Sequence, residues 1–201
     1  MKDEKMKEFL SRYKTYLLFT AIVFTGLAIA FFAMGGYYPI ALVNGNLVSA
    51  RTFSREYAAA DAYYRRVIQT YGAQALGPAA LAPSDIRALV MEKVVEDALI
   101  ENAARREVGA DLSALVENKL SELSADGELA KAASTLYGLN KADFRNFVLV
   151  PQAERDILSG RLFLKGEKFD DWLTQAKQSA NISIFSNQFR WTPQGVATST
   201  P

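Results

Sequence analysis

Residues 16–34 read YLLFTAIVFTGLAIAFFAM, nineteen positions without a charged side chain. At 1.5 Å of rise per residue such a helix is roughly 28 Å long, close to the hydrocarbon thickness of a bilayer. Only Thr20, Thr25 and Gly26 interrupt the apolar surface, so the stretch reads as a single helix crossing a lipid bilayer from Tyr16 to Met34. Its reading divides the chain into a tail (1–15), an anchor (16–36) and one domain beyond.

Charge sets the expected orientation. Lys2, Lys5, Lys7, Arg12 and Lys14 precede the run, whereas 35–50 carries no basic residue. The positive-inside rule places the N-terminus in the cytoplasm and the main domain outside, a single-pass protein of the cytoplasmic membrane. Tyr13, Tyr16, Tyr37 and Tyr38 suit the two interfacial belts. The rival is a cleaved signal peptide at Ala28-Ile29-Ala30, but Phe31 to Met34 prolong the apolar run past that point.

Composition narrows the chemistry. Residues 37–201 hold 18 Lys and Arg against 19 Asp and Glu, so no basic footprint points to nucleic acid. The chain has no cysteine and no histidine. Disulfides, thiolate chemistry, the usual zinc sites and His-based triads are thereby excluded. No cofactor motif and no constellation requiring a carboxylate pair or a Ser-Lys dyad stands out, so the reading is not an enzyme.

From the anchor outward, Ile40 to Val43, Asn44-Gly45 and Asn46 to Val48 read as a hairpin, because both turn residues tolerate the positive φ of a type I′ turn. Ser49 is placed to cap a helix from Ala50 to about Thr70. Its Phe53, Tyr57, Ala60, Tyr64, Val67, Ile68 and Tyr71 recur at helical spacing. Gly72 to Pro83 reads as a loop, and Ser84 as the cap of a helix ending at Val108 before Gly109. Ile86, Leu89, Val90, Val94, Ala98 and Leu99 form its expected buried face. Glu101 and Arg105 form an i,i+4 pair, and Glu92 and Glu96 read as a solvated face.

A shorter helix spans Leu112 to about Ser124, followed by an Asp126-Gly127 turn and an amphipathic piece from Glu128 to Tyr137. Asn140 and Asp143 have capping-box spacing, and Pro151 predicts a kink or break near Val150. Phe169 to Ser179 forms the last helix, with Trp172, Leu173 and Ala176 on one face. Asn181 to Phe185 alternates as a strand, and Phe189 to Trp191 reads as another. An isolated hairpin is marginal, so the strands at the two ends of the domain are expected to pair. Residues 192–201 are expected to be disordered.

This order of pieces, with Val43-Asn44-Gly45, MEKVVEDALIENAARREVGADLS (91–113), LYGLNKADFRNFV (136–148) and FDDWLTQAKQSANISIF (169–185), resembles the N-terminal chaperone domain of the SurA and PpiD group of extracytoplasmic folding factors. The resemblance implies a mainly α SurA-N-like domain over 37–191, with a small β-sheet made by its two ends and closed by helix 169–179 and strand 181–185. In that group a parvulin domain is commonly inserted before the closing helix. Here only Lys165 to Lys168 stands in that place, so the resemblance implies the chaperone module without the isomerase.

The expected function is a membrane-anchored, ATP-independent holdase for unfolded or newly translocated polypeptides. Phe53, Tyr57, Tyr63, Tyr64, Tyr137, Phe144 and Phe147 are the candidate client contacts. Translocation machinery and a second copy of the chain are further candidate partners. The alternative is a structural subunit that holds one specific partner in a membrane complex.

Overall fold

In the computed structural model the Asn44-Gly45 turn forms with φ of 50° and 89°, joining β1 (Pro39–Val43) to β2 (Asn46–Ser49). The structure describes residues 2–72, 82–124, 131 and 133–199, with side chains described for 14, 16–32, 34–72, 82–121, 131 and 133–199. The expected Asp126-Gly127 turn and most of the 72–83 loop lie outside these residues. The chain divides into two compact units, Met1–Tyr38 and Pro39–Pro201.

The first unit holds α1 (Lys2–Met34). Among the described residues no helix is long and apolar enough to cross a membrane. This finding overturns the spanning anchor from Tyr16 to Met34, and with it the single-pass location and the assignment of its two sides.

In the second unit, Ser49 caps α2 (Ala50–Tyr71), its hydroxyl accepting from the Thr52 N–H at 3.1 Å. The next helix, α3 (Pro83–Val108), starts two residues earlier than a Ser84 cap implies. Pro83 supplies the first helical position, where a missing N–H costs nothing, and the Asp85 carboxylate accepts from the Ala82 N–H at 3.0 Å. Ser84 is therefore inside the helix and does not cap it. A short 3-10 turn (Gly109–Asp111) leads into α4 (Leu112–Ser124).

Beyond a π-helical turn (Ala133–Tyr137), Asn140 caps α5 (Lys141–Phe144), accepting from the Asp143 N–H at 2.8 Å. A second π-helical turn (Arg145–Leu149) then runs into α6 (Val150–Leu164). The helical backbone does not break at Pro151; the irregularity near Val150, where a kink or break is expected, is the change from π to α geometry. A proline ring crowds the preceding turn and removes one donor, and the wider π turn lies where that crowding falls. The last helix, α7 (Phe169–Ser179), precedes β3 (Ile182–Ile184).

The two ends meet in one sheet of order β2-β1-β3, all antiparallel, with Ala41 opposite Ile184 and Val43 opposite Ile182. A second hairpin, β4 (Phe189–Thr192) with β5 (Gly195–Thr198), replaces the disordered tail expected over 192–201. Gly195 makes it possible. Its φ is 127°, and a Cβ there would stand 2.6 Å from Glu92 Oε1.

α3 lies at the centre, and its burial is wider than one stripe. Val95, Leu99, Ile100 and Ala104 are each at most 2 % exposed, because the sheet and α2 cover one side and α4 and α6 another. Leu89, expected in the core, is exposed. Glu92 and Glu96 are not a solvated face: the Lys177 ammonium of α7 donates to both. It also lies 5.9 Å from the Trp191 ring centroid, so one side chain ties α7, α3 and β4 together. Burial works against that ammonium, but the two glutamates outweigh it and raise its pKa.

Candidate functional site

The candidate client contacts separate into three places. Phe53 and Tyr57 stack on α2 at 6.4 Å, and with Tyr64 they pack on the core beneath the sheet. Tyr63 stacks on Tyr137 at 5.5 Å, and Tyr137 meets the buried Phe144 at the same separation. Tyr64 meets the edge of Tyr63, so four of the seven rings form a continuous ladder from α2 to α5. Phe147 stands apart, on the wall of a cleft that the aromatic pattern alone does not reveal.

That cleft has a volume of about 550 Å³, within the range of ligand-binding clefts. One wall is β2. Thr52 and Glu56 of α2, Asp97 and Glu101 of α3, Val116 of α4, and Phe147 with Glu154 supply the others. β2 is an edge strand. Val43 and Asn46 close the two-residue turn, so the ladder alternation makes Leu42 and Leu47 the next, non-hydrogen-bonded pair. The Leu47 N–H and C=O therefore point away from β1. Among the described residues neither is taken by another group, and the side chain is 67 % exposed.

The lining is acidic but mostly paired. Lys93 donates to Glu56 at 3.1 Å and to Asp97 at 2.6 Å. Arg105 binds Glu101 at 2.7 Å, and Arg145 binds Glu117. Burial raises the Glu56 pKa, with the Lys93 charge pulling only partly the other way. For Lys93 itself burial is the larger single influence, yet Asp97 and Glu56 together hold its pKa above the ordinary value.

Glu154 is the exception. It is 8 % exposed, and among the described residues its carboxyl makes no hydrogen bond and no ion pair. Burial, and then the nearby Glu101, push its pKa up to about 7, against a smaller pull from Arg105. No fully enclosed side-chain oxygen or nitrogen in the described structure lacks a partner, so the Glu154 oxygens keep an opening. Glu154 lines the cleft, and the cleft is that opening. Sequence reasoning missed this residue because it lies one turn past Pro151 in an ordinary amphipathic helix, and only the tertiary packing buries it.

No group of three or more acidic side chains among the described residues is arranged to hold a metal ion. No family model, no curated protein and no solved structure matches the chain.

Proposed function

We propose that this protein is an ATP-independent holdase, which binds extended segments of unfolded polypeptides and releases them unchanged. The observation that carries the reading is the cleft bordered by the unpaired edge of β2. An unfolded chain always offers backbone N–H and C=O groups, and an open strand edge takes them whatever the sequence. The apolar wall from Val94, Val116 and Phe147 adds burial worth about 25 cal/mol per Å², offset by the cost of ordering the client. Binding on these terms is weak and promiscuous, as a holdase requires.

The resemblance to the SurA and PpiD chaperone module supports the same reading, and the absence of histidine from the sequence leaves no parvulin-type chemistry to add to it. The test is suppression of aggregation. The full chain, at near-stoichiometric ratios and without nucleotide, is expected to keep several unrelated denatured proteins in solution. Suppression confined to one client, or none by a folded preparation, would sink the holdase reading. It would point instead to a structural subunit with one fixed partner, for which the exposed Phe163 and Leu164 at the end of α6 offer a contact surface.

A further inference from the structure

The cleft combines a strand edge that any polypeptide backbone can use with a carboxyl group that a purely apolar client would leave unused. Leu47 offers one outward N–H and one outward C=O, the pair that an added antiparallel strand takes from a single residue. The same cleft is lined by Glu154, more than nine-tenths buried and without a hydrogen bond or ion pair among the described residues. Of the cations nearby, Arg105 is held by Glu101, Arg145 by Glu117, and Lys93 by Glu56 and Asp97. A buried carboxylate with no counter-charge is costly, and a cation brought by a ligand would relieve that cost.

We infer that the cleft takes an extended polypeptide segment as a fourth strand on β2, paired to the Leu47 backbone, with a lysine or arginine side chain of the segment bound to the Glu154 carboxylate. The inference rests on the holdase reading and narrows its clients to segments in which a basic residue sits among apolar ones. A strand alternates its side chains, so residues flanking the basic one point to the opposite face. The basic side chain therefore enters the cleft without forcing its immediate neighbours to do so.

The probe is a fluorescent eight-residue peptide of alternating threonine and valine with one central lysine, titrated against the full chain at pH 8 and followed by anisotropy. Three comparisons accompany it: norleucine in place of lysine, N-methylation of the backbone at the residues flanking the lysine, and spermidine as a competitor. The lysine peptide is expected to bind at least tenfold more tightly than the norleucine peptide. Glu154→Gln should erase that difference, and N-methylation should abolish binding of both. Equal affinity for lysine and norleucine on the parent protein overturns the role of Glu154 without relying on any variant. Tight binding of the N-methylated peptide, or full displacement by spermidine at micromolar concentration, overturns the added strand and shows a plain amine site. Aggregation suppression that persists after either failure leaves the holdase reading standing, whereas its loss removes both.

Discussion

At the scale of single residues, Glu154 makes the sharpest prediction about stability. Its pKa is about 7 in the folded protein against an ordinary value of 4.5. Between those values the folded state holds a proton that the unfolded chain has lost, so stability falls as pH rises through the window and the full cost is present above 7. For so buried a group that cost is at most about 3 kcal/mol. Glu154→Gln removes the titration. The stability of the variant relative to the parent should therefore rise by about 1–3 kcal/mol between pH 4.5 and pH 8, read by urea unfolding through Trp172 and Trp191 fluorescence. A gap that stays constant with pH would show that Glu154 is not buried as a free acid. Single-residue signals with a local cause were legible beforehand: Asn44-Gly45 turned, Ser49 and Asn140 capped, and Glu101 met Arg105. Glu154 was not, because its burial comes from α3 and from the cleft wall, neither of which leaves a mark on its own neighbours in sequence.

At the scale of elements, the docking of α7 depends on few contacts. Phe169 and Trp172 lie against the main core, but no residue of the helix is fully buried. Lys177, joined to Glu92 and Glu96 and lying over Trp191, is the polar half of the attachment. Lys177→Ala leaves Glu92 and Glu96 one turn apart with like charge, with Arg155 at 3.7 Å from Glu96 as the remaining counter-ion. A loss of about 1–3 kcal/mol is expected, and the protection of α7 amides in hydrogen exchange should fall more than that of α3. Uniform loss across both helices would mean that α7 does not open separately. Element limits were well marked in sequence where a glycine or a true capping side chain lay at the boundary, as at Ser49, Gly72, Gly109 and Gly138, whereas the start of α3 at Pro83 was read too late. The departures have their own physical causes. Periodicity places one apolar face on α3, yet the helix is covered on several sides. Pro151 is accommodated by a π turn, which has no composition signature. Of the second hairpin, β4 was legible at Phe189 to Trp191, whereas β5 is short and is held by Gly195 against α3, a contact that only the fold creates.

At the scale of the whole molecule, the sheet closes the folded unit, since β1 is the middle strand between β2 from the same hairpin and β3 from the far end. A chain ending at Lys165 lacks α7, β3 and the second hairpin, and exposes Ala41 and Val43, which are fully buried in the parent. It should melt at a clearly lower temperature than the parent or fail to unfold cooperatively. An unchanged transition would refute the closure. The pairing of first and last strands could be expected from sequence, because neither is stable alone, whereas which strand would be left at the edge could not. The same pairing has a consequence during synthesis. About 140 residues separate Ala41 from Ile184, and at a translation rate of about 5–20 residues per second β1 waits roughly 7–28 s for its second neighbour. Through that interval the nascent chain displays an open edge of its own, competent to pair with other chains on crowded polysomes. A protein proposed to shelter the strand edges of others thus begins its existence in need of the same shelter.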